Sequence, residues 1–181
     1  MANWRKDWFI MGSLAGAIAS IIKTLINFGF YKSKISKIHY VDIAGGMILG
    51  KRKGDKPRTP LEYGLGIIAD TMLGAIFGSG LAWLIGKTPK GFEVTKGTLF
   101  GTTLWGTTLS FGTLLKIDGL SKPSARTMTT MLSSSMAFGA GTGALIKKFA
   151  QFEQSKMLQP STVSLQDNNL NNENKIRIAS K

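Results

Sequence analysis

The 181-residue sequence has no cysteine and a single histidine, His39. The absence of cysteine excludes disulfide scaffolds, thiolate metal sites and cysteine nucleophiles. One histidine cannot form a zinc cluster of histidine type, and it has no nucleophile nearby in the sequence. Acidic residues number ten against 23 Lys and Arg, and no two carboxylates are spaced for acid–base catalysis. We therefore predict a protein that is not an enzyme and uses neither a metal nor a cofactor.

The net charge of +13 is unevenly distributed along the chain. Four stretches carry one charge or none: 8–30, 63–86, 97–115 and 127–146. About 20 helical residues cross a hydrocarbon core of about 30 Å, and basic residues flank each stretch, as membrane insertion requires. The pattern predicts an all-α, polytopic membrane protein with four transmembrane helices in a Gly-rich bundle.

Two other interpretations remain open at this point. Mean hydropathy is only +0.07, and the last two stretches are rich in Ser and Thr, so they could be buried segments of a soluble protein. Arg5 and Lys6, the apolar run after them and Ala17-Ile18-Ala19, which has the form of an A-x-A cleavage site, resemble a secretory signal peptide. The apolar run continues to Phe30, however, which is the length of a span.

The connecting and terminal segments have a different composition. Residues 38–50 are apolar but too short to cross a bilayer, so they predict an interfacial or re-entrant piece, with a simple amphipathic loop helix as the alternative. Residues 151–181 are Asn- and Gln-rich and predict a polar flexible tail. The expected organisation is a transmembrane domain over 1–150 followed by this tail. Basic residues divide eleven against eight between the two sides, which leaves membrane orientation undecided.

Small residues recur at four-residue spacing in every stretch, which places them on one helical face. Such faces let two backbones approach closely, either within one chain or between copies in a homo-oligomer. The predicted packing residues are Gly12, Gly16, Gly66, Gly74, Gly78, Gly97, Gly101, Ser135, Gly139 and Gly143.

Two charges fall inside the predicted spans. Asp70 lies midway between Gly66 and Gly74 on the small face of the second stretch, and Lys23 lies on the small polar face of the first. Lys23 precedes Phe30 by seven residues and Asp70 follows Tyr63 by seven, so both lie about 10 Å from the same membrane surface. A lone charge at that depth is costly, so we predict an intramembrane Lys23–Asp70 pair, either structural or part of an ion or proton relay.

The basic runs favour a lipid partner over nucleic acid. The run 51–58 contains no aromatic residue to stack on bases, so it is expected to face anionic headgroups. Gly86-Lys87-Thr88 resembles the end of a phosphate loop, but Leu81 stands where that motif requires glycine.

The middle of the chain resembles a family of uncharacterised four-span integral membrane proteins from Gram-positive, often spore-forming, bacteria. The resemblance is carried by Gly66 to Asp70 at the start of the second span and by Lys96, Gly97, Phe100 and Gly101 at the start of the third. It implies four-span architecture and no known activity. The last span of that family often carries a histidine, which 127–146 lacks.

We therefore predict a non-enzymatic, multi-pass protein of the bacterial cytoplasmic membrane that self-associates through its small-residue faces. The alternative is a small transporter or channel that uses Lys23, Asp70 and the hydroxyl-rich third and fourth helices as a polar path. A holin- or bacteriocin-like pore former is the third candidate.

Overall fold

The computed structural model describes residues 4–36, 41, 59–89, 91–114 and 123–158. These residues form four helices and no strand, which confirms the all-α class. The helices are α1 (Trp4–Lys32), α2 (Pro60–Lys87), α3 (Glu93–Leu114) and α4 (Ala125–Leu158).

Two of the four helices are long and apolar enough to cross a membrane, namely Trp8–Lys32 within α1 and Pro60–Lys87. Their mean hydropathies are 1.8 and 1.6. Helices α3 and α4 have the length but not the hydropathy, because each carries many Ser and Thr residues. By length and composition, therefore, two of the four predicted spans are supported.

Local sequence signals fix where the helices begin. Thr59 caps α2: its Oγ1 accepts from the Glu62 N–H at 3.3 Å, and its own N–H donates to Glu62 Oε2 at 2.7 Å. This reciprocal capping box, with Pro60 at the first helical position, satisfies amides that lack helical partners. A tight turn precedes α3, where Gly91 adopts a φ of +102° that favours glycine.

Helices α1 and α2 form an antiparallel hairpin, hairpin 1, closed by small residues. A Cβ on Gly12 would lie 2.7 Å from Ala82 Cβ, and one on Gly78 would lie 2.6 Å from Gly16 Cα. A Cβ on Gly16 would overlap the carbonyl of Gly74. The two backbones thus approach as closely as hydrogen side chains permit.

Helices α3 and α4 form hairpin 2, which is closed in the same way. A Cβ on Gly97 would overlap the Gly139 carbonyl, and one on Gly101 would overlap the Ser135 carbonyl. At the start of α3, a Cβ on Gly143 would meet Val94 Cα at 3.3 Å. The small faces predicted from spacing are therefore occupied within a single chain.

The two hairpins close through the same pattern of small residues, and we call this correspondence the repeat. In hairpin 1 Gly74 lies opposite Gly16, and in hairpin 2 Ser135 lies opposite Gly101. Gly78 and Gly139 likewise hold equivalent positions in the two hairpins. The same register aligns Gly12, Leu14 and Gly16 of α1 with Gly97, Leu99 and Gly101 of α3. Between α2 and α4 it aligns identical residues at six positions: Phe77 with Phe138, Gly78 with Gly139, Gly80 with Gly141, Leu84 with Leu145, Ile85 with Ile146, and Lys87 with Lys148.

The distribution of side chains is inverted relative to a water-soluble bundle. The buried apolar side chains are few and often small, including Ala15, Ala19, Ala69 and Ala82. Large apolar side chains instead cover the outer surface, and most of them lie on α1 and α2. Those on the two helices that are more than half exposed are Phe9, Ile10, Leu14, Leu25, Phe28, Leu61, Ile68, Met72 and Ile76.

The start of the predicted tail differs from the structure. Helix α4 continues to Leu158, so residues 151–158 are helical and not part of a flexible tail. These residues contain neither Gly nor Pro, and the first helix-breaking residue after them is Pro160. The chain divides into compact units Met1–Ile146 and Lys147–Lys181, close to the predicted division after residue 150. The rest of the tail, 159–181, lies outside the described residues.

Gly66 has a different contact from the one expected. A Cβ there would lie 2.6 Å from the carbonyl oxygen of Val41 and not against another of the four helices. Val41 is 1% exposed and belongs to the segment predicted as interfacial. The other residues of 38–50 lie outside the described part of the chain.

Candidate functional site

Lys23 and Asp70 meet across hairpin 1. Lys23 Nζ lies 2.6 Å from Asp70 Oδ1, and the two side chains are 13% and 7% exposed. The close approach of the two backbones at the glycine seam lets the Lys23 side chain reach Asp70, about three turns into α2. The pairing agrees with the equal depth that the sequence predicts for both residues.

Two hydroxyl groups complete the environment of the carboxylate. Thr24 Oγ1 donates to Asp70 Oδ2 at 2.8 Å. Ser20 Oγ lies 2.9 Å from the same Oδ2 and 3.0 Å from the Asp70 backbone oxygen. Both carboxylate oxygens therefore accept hydrogen bonds from one face of α1, which compensates the loss of water around a buried charge.

Sequence reasoning did not identify Ser20 and Thr24 as partners of Asp70. The signal was present, because Ser20 precedes Lys23 by three residues and Thr24 by four, which places both beside Ser20 on the helix surface. Ser20 is fully buried, and it also fills the space beside Gly74, where a Cβ would lie 2.5 Å from Ser20 Cβ.

The pair also faces the second hairpin. Lys23 Nζ lies 5.7 Å from the ring centroid of Phe138 on α4, a distance at which a cation is attracted to an aromatic face. A second polar contact joins α1 and α2 further along the seam, where the hydroxyls of Ser13 and Ser79 lie 2.7 Å apart.

The repeat provides an internal reference for this site. Asp70 corresponds to Met131 of α4, and Lys23 corresponds to Thr108 of α3. Met131 is 1% exposed, so the same position is buried in both hairpins. Hairpin 2 therefore closes through its glycine seam without a buried charge at the place where hairpin 1 has one.

The hydroxyl groups of α3 and α4 are turned mainly toward their own helices. On α3, for example, Thr98, Thr102 and Thr103 donate to the carbonyls four residues earlier at 2.9–3.0 Å. On α4, Ser134 and Thr142 do the same at 2.9 and 2.7 Å. Because the protons of these hydroxyls are already engaged, the two helices present fewer free donors than their composition indicates.

Within the described ranges, no three His, Asp or Glu side chains gather in a way that could hold a metal ion. His39 and the basic run 51–58 lie outside those ranges.

The chain matches no protein-family model, no curated protein and no solved structure.

Proposed function

We propose that this protein is a non-enzymatic integral membrane protein of the bacterial cytoplasmic membrane with four spans. The observation that carries the proposal is the inverted distribution of side chains, with glycine, alanine and serine inside and large apolar residues outside. In lipid, close packing of small residues drives helix association, whereas in water the same exposed surface would cause aggregation.

The intrahelical hydrogen bonds support the inclusion of α3 and α4 as spans. A hydroxyl that donates to the carbonyl four residues earlier needs no water, so it is tolerated beside lipid. Hydropathy scales score the residue type and not this bond. Helix α3 has 22 residues and is about 33 Å long, enough to cross the hydrocarbon core.

The ends of α2 support its placement across a bilayer. Tyr63 and Trp83 are partly exposed and about 30 Å apart along the helix, which matches the separation of the two interfaces where aromatic side chains gather. Lys87 lies over the Trp83 ring at 4.7 Å, a basic and aromatic pair suited to the headgroup region.

The proposal includes self-association, but through a surface other than the small-residue faces. The glycine faces are filled within the chain, so contacts between copies would use the exposed apolar faces of α1 and α2. The resemblance to four-span proteins of Gram-positive bacteria is compatible with this architecture and remains part of the proposal.

Membrane integration is tested by expression in a bacterial host, followed by extraction of the membranes with alkaline carbonate and, separately, with detergent. We expect the protein to stay in the pellet after carbonate and to dissolve in detergent. Release by carbonate as a soluble, folded protein would overturn the proposal.

A small ion or proton transporter is the second candidate, and one observation favours it. Hairpin 2 closes with Met131 and Thr108 where hairpin 1 has Asp70 and Lys23, so the charge pair is not a requirement of the hairpin. A costly buried pair that packing does not need is typical of a functional site in a membrane.

Flux into proteoliposomes distinguishes these candidates. Saturable uptake or proton movement that is lost in Asp70→Asn would favour the transporter, and indiscriminate dye leakage would favour a pore former. No flux with intact membrane integration would favour the non-transporting protein. The variant Thr71→Val is the matched control, because the Thr71 hydroxyl bonds only to the Ile67 carbonyl of its own helix at 2.8 Å.

A further inference from the structure

A cleft of about 410 Å³ opens between the end of α1 and the start of α4. Phe30 and Ile35 form an apolar side, and Arg126, Thr129, Thr130 and Ser133 of α4 form a polar one. From Arg126 to Ser133 the cleft follows α4 for about 10 Å. It is separate from the Lys23–Asp70 site, whose residues do not line it.

Arg126 is the only charged residue in the lining. Among the described residues, no carboxylate forms an ion pair with it. A guanidinium group binds phosphate through two parallel hydrogen bonds, so the cleft has one permanently charged donor group suited to phosphate.

The hydroxyl groups in the cleft are oriented as acceptors. Thr129 Oγ1 donates to the Ala125 carbonyl at 3.0 Å, Thr130 Oγ1 to the Thr127 carbonyl at 2.9 Å, and Ser133 Oγ to the Thr129 carbonyl at 2.9 Å. With their protons engaged, these oxygens offer lone pairs to a ligand. A ligand that matches the cleft therefore carries an anion, hydroxyl donors and an apolar part.

The repeat indicates that this polarity is not required for folding. The positions of α2 that correspond to Arg126, Thr129, Thr130 and Ser133 hold Leu65, Ile68, Ala69 and Met72. Ile68 and Met72 are 57% and 62% exposed, as residues facing lipid would be. One copy of the unit thus presents a plain apolar surface where the other has a cation and three hydroxyls.

We propose that the cleft binds one anionic phospholipid whose headgroup carries hydroxyl groups, as phosphatidylglycerol does. This inference rests on the proposed membrane integration. Charge complementarity supports the occupant, because the two connections on this side of the proposed membrane domain carry eleven Lys and Arg residues from Lys32 to Arg58 and from Lys116 to Arg126. Arg126 meets the phosphate, Thr129 and Ser133 accept from the headgroup hydroxyls, and the lipid lies against Phe30 and Ile35.

Native mass spectrometry of the detergent-solubilised protein tests the site. The protein is titrated with phosphatidylglycerol, phosphatidic acid and phosphatidylcholine in parallel. We expect one tightly bound phosphatidylglycerol, weaker phosphatidic acid and little phosphatidylcholine. Arg126→Leu, which introduces the residue of the first copy, should weaken binding of phosphatidylglycerol about tenfold. The matched control Lys32→Leu removes a basic residue at the same end of the bundle and should change binding less than twofold.

A second variant tests the hydroxyl contacts. Thr129→Ile combined with Ser133→Met should abolish the preference for phosphatidylglycerol over phosphatidic acid while retaining phosphatidic acid binding. Equal effects of Arg126→Leu and Lys32→Leu, or equal binding of all three lipids, would overturn the proposal. So would displacement of the lipid by soluble glycerol phosphate, which would indicate a site for free phosphate. Carbonate extraction of the same variants separates the outcomes: intact integration with no bound lipid refutes this inference alone.

Discussion

Asp70 is tolerated in an apolar helix because every donor it needs comes from one face of α1. An ammonium and two hydroxyls replace the water that would otherwise solvate the carboxylate. The depth and face of Lys23 and Asp70 followed from helical geometry, which is why the pair was predictable from the sequence. The hydroxyl partners were not predicted, because Ser and Thr are common on small-residue faces and only the rotamers decide which of them reach the carboxylate.

Breaking the pair at one side should be worse than removing it. Asp70→Met or Lys23→Thr alone leaves one buried charge and should destabilise the protein by about 3 kcal/mol. The double variant, which introduces the residues of hairpin 2, should recover much of that loss. A thermal-unfolding double-mutant cycle in detergent measures the coupling, and strictly additive losses would contradict the pairing.

Thr24 should contribute through its single hydrogen bond to the carboxylate. Thr24→Val keeps the shape of the side chain but removes a donor to a charged acceptor, so we expect a loss of about 1.5 kcal/mol. Thr71→Val removes a hydroxyl that bonds only within its helix, and it should cost less than about 0.5 kcal/mol. Equal losses in chemical unfolding of the two variants would show that the contact with Asp70 contributes nothing.

Helix pairing in this protein depends on where glycine stands and not on how much of it there is. Gly101 lies in the seam of hairpin 2, whereas Gly106, five residues further along α3, has nothing within 4 Å of a Cβ position. The glycines at four-residue spacing lie in the two seams, apart from Gly66, which lies against Val41. The correspondence between the two hairpins could not be predicted from the sequence, because they have connections of different length and few identical residues in α1 and α3.

The same substitution should have opposite effects at these two positions. Gly101→Ala places a methyl group against the Ser135 carbonyl and should destabilise the protein by about 1–3 kcal/mol. Gly106→Ala has room and gains helix propensity, so it should stabilise by up to about 1 kcal/mol. Thermal unfolding in detergent compares the two, and an equal change in both would mean that α3 and α4 do not pack through this seam.

At the scale of the whole molecule, composition and helix packing favour different numbers of helices across the proposed membrane. Composition alone supports two, since hydropathy counts every Ser and Thr as polar. The intrahelical hydrogen bonds and the repeat favour four, because α3 and α4 pair as α1 and α2 do. These features are three-dimensional, so the number of spans could not be predicted from residue types.

Cysteine labelling can determine the topology without background, since the chain has no cysteine of its own. Single cysteines at Asp55, Lys90, Gly119 and Gln166 mark the connections and the tail. With four spans, a membrane-impermeant maleimide should label positions 55 and 119 from one side and 90 and 166 from the other. With two spans, positions 90, 119 and 166 would all be labelled from the same side.

In the proposed membrane protein, the donors around Asp70 also affect how the chain would enter the bilayer during synthesis. Helix α2 emerges from the ribosome after α1, and its carboxylate alone would raise the cost of insertion by about 3 kcal/mol. Since Ser20, Lys23 and Thr24 all lie on α1, the translocon would admit α2 most readily when α1 already stands beside it. Hairpin 1 is therefore expected to insert as a pair, whereas α4, with Met131 at that depth, carries no such dependence on α3.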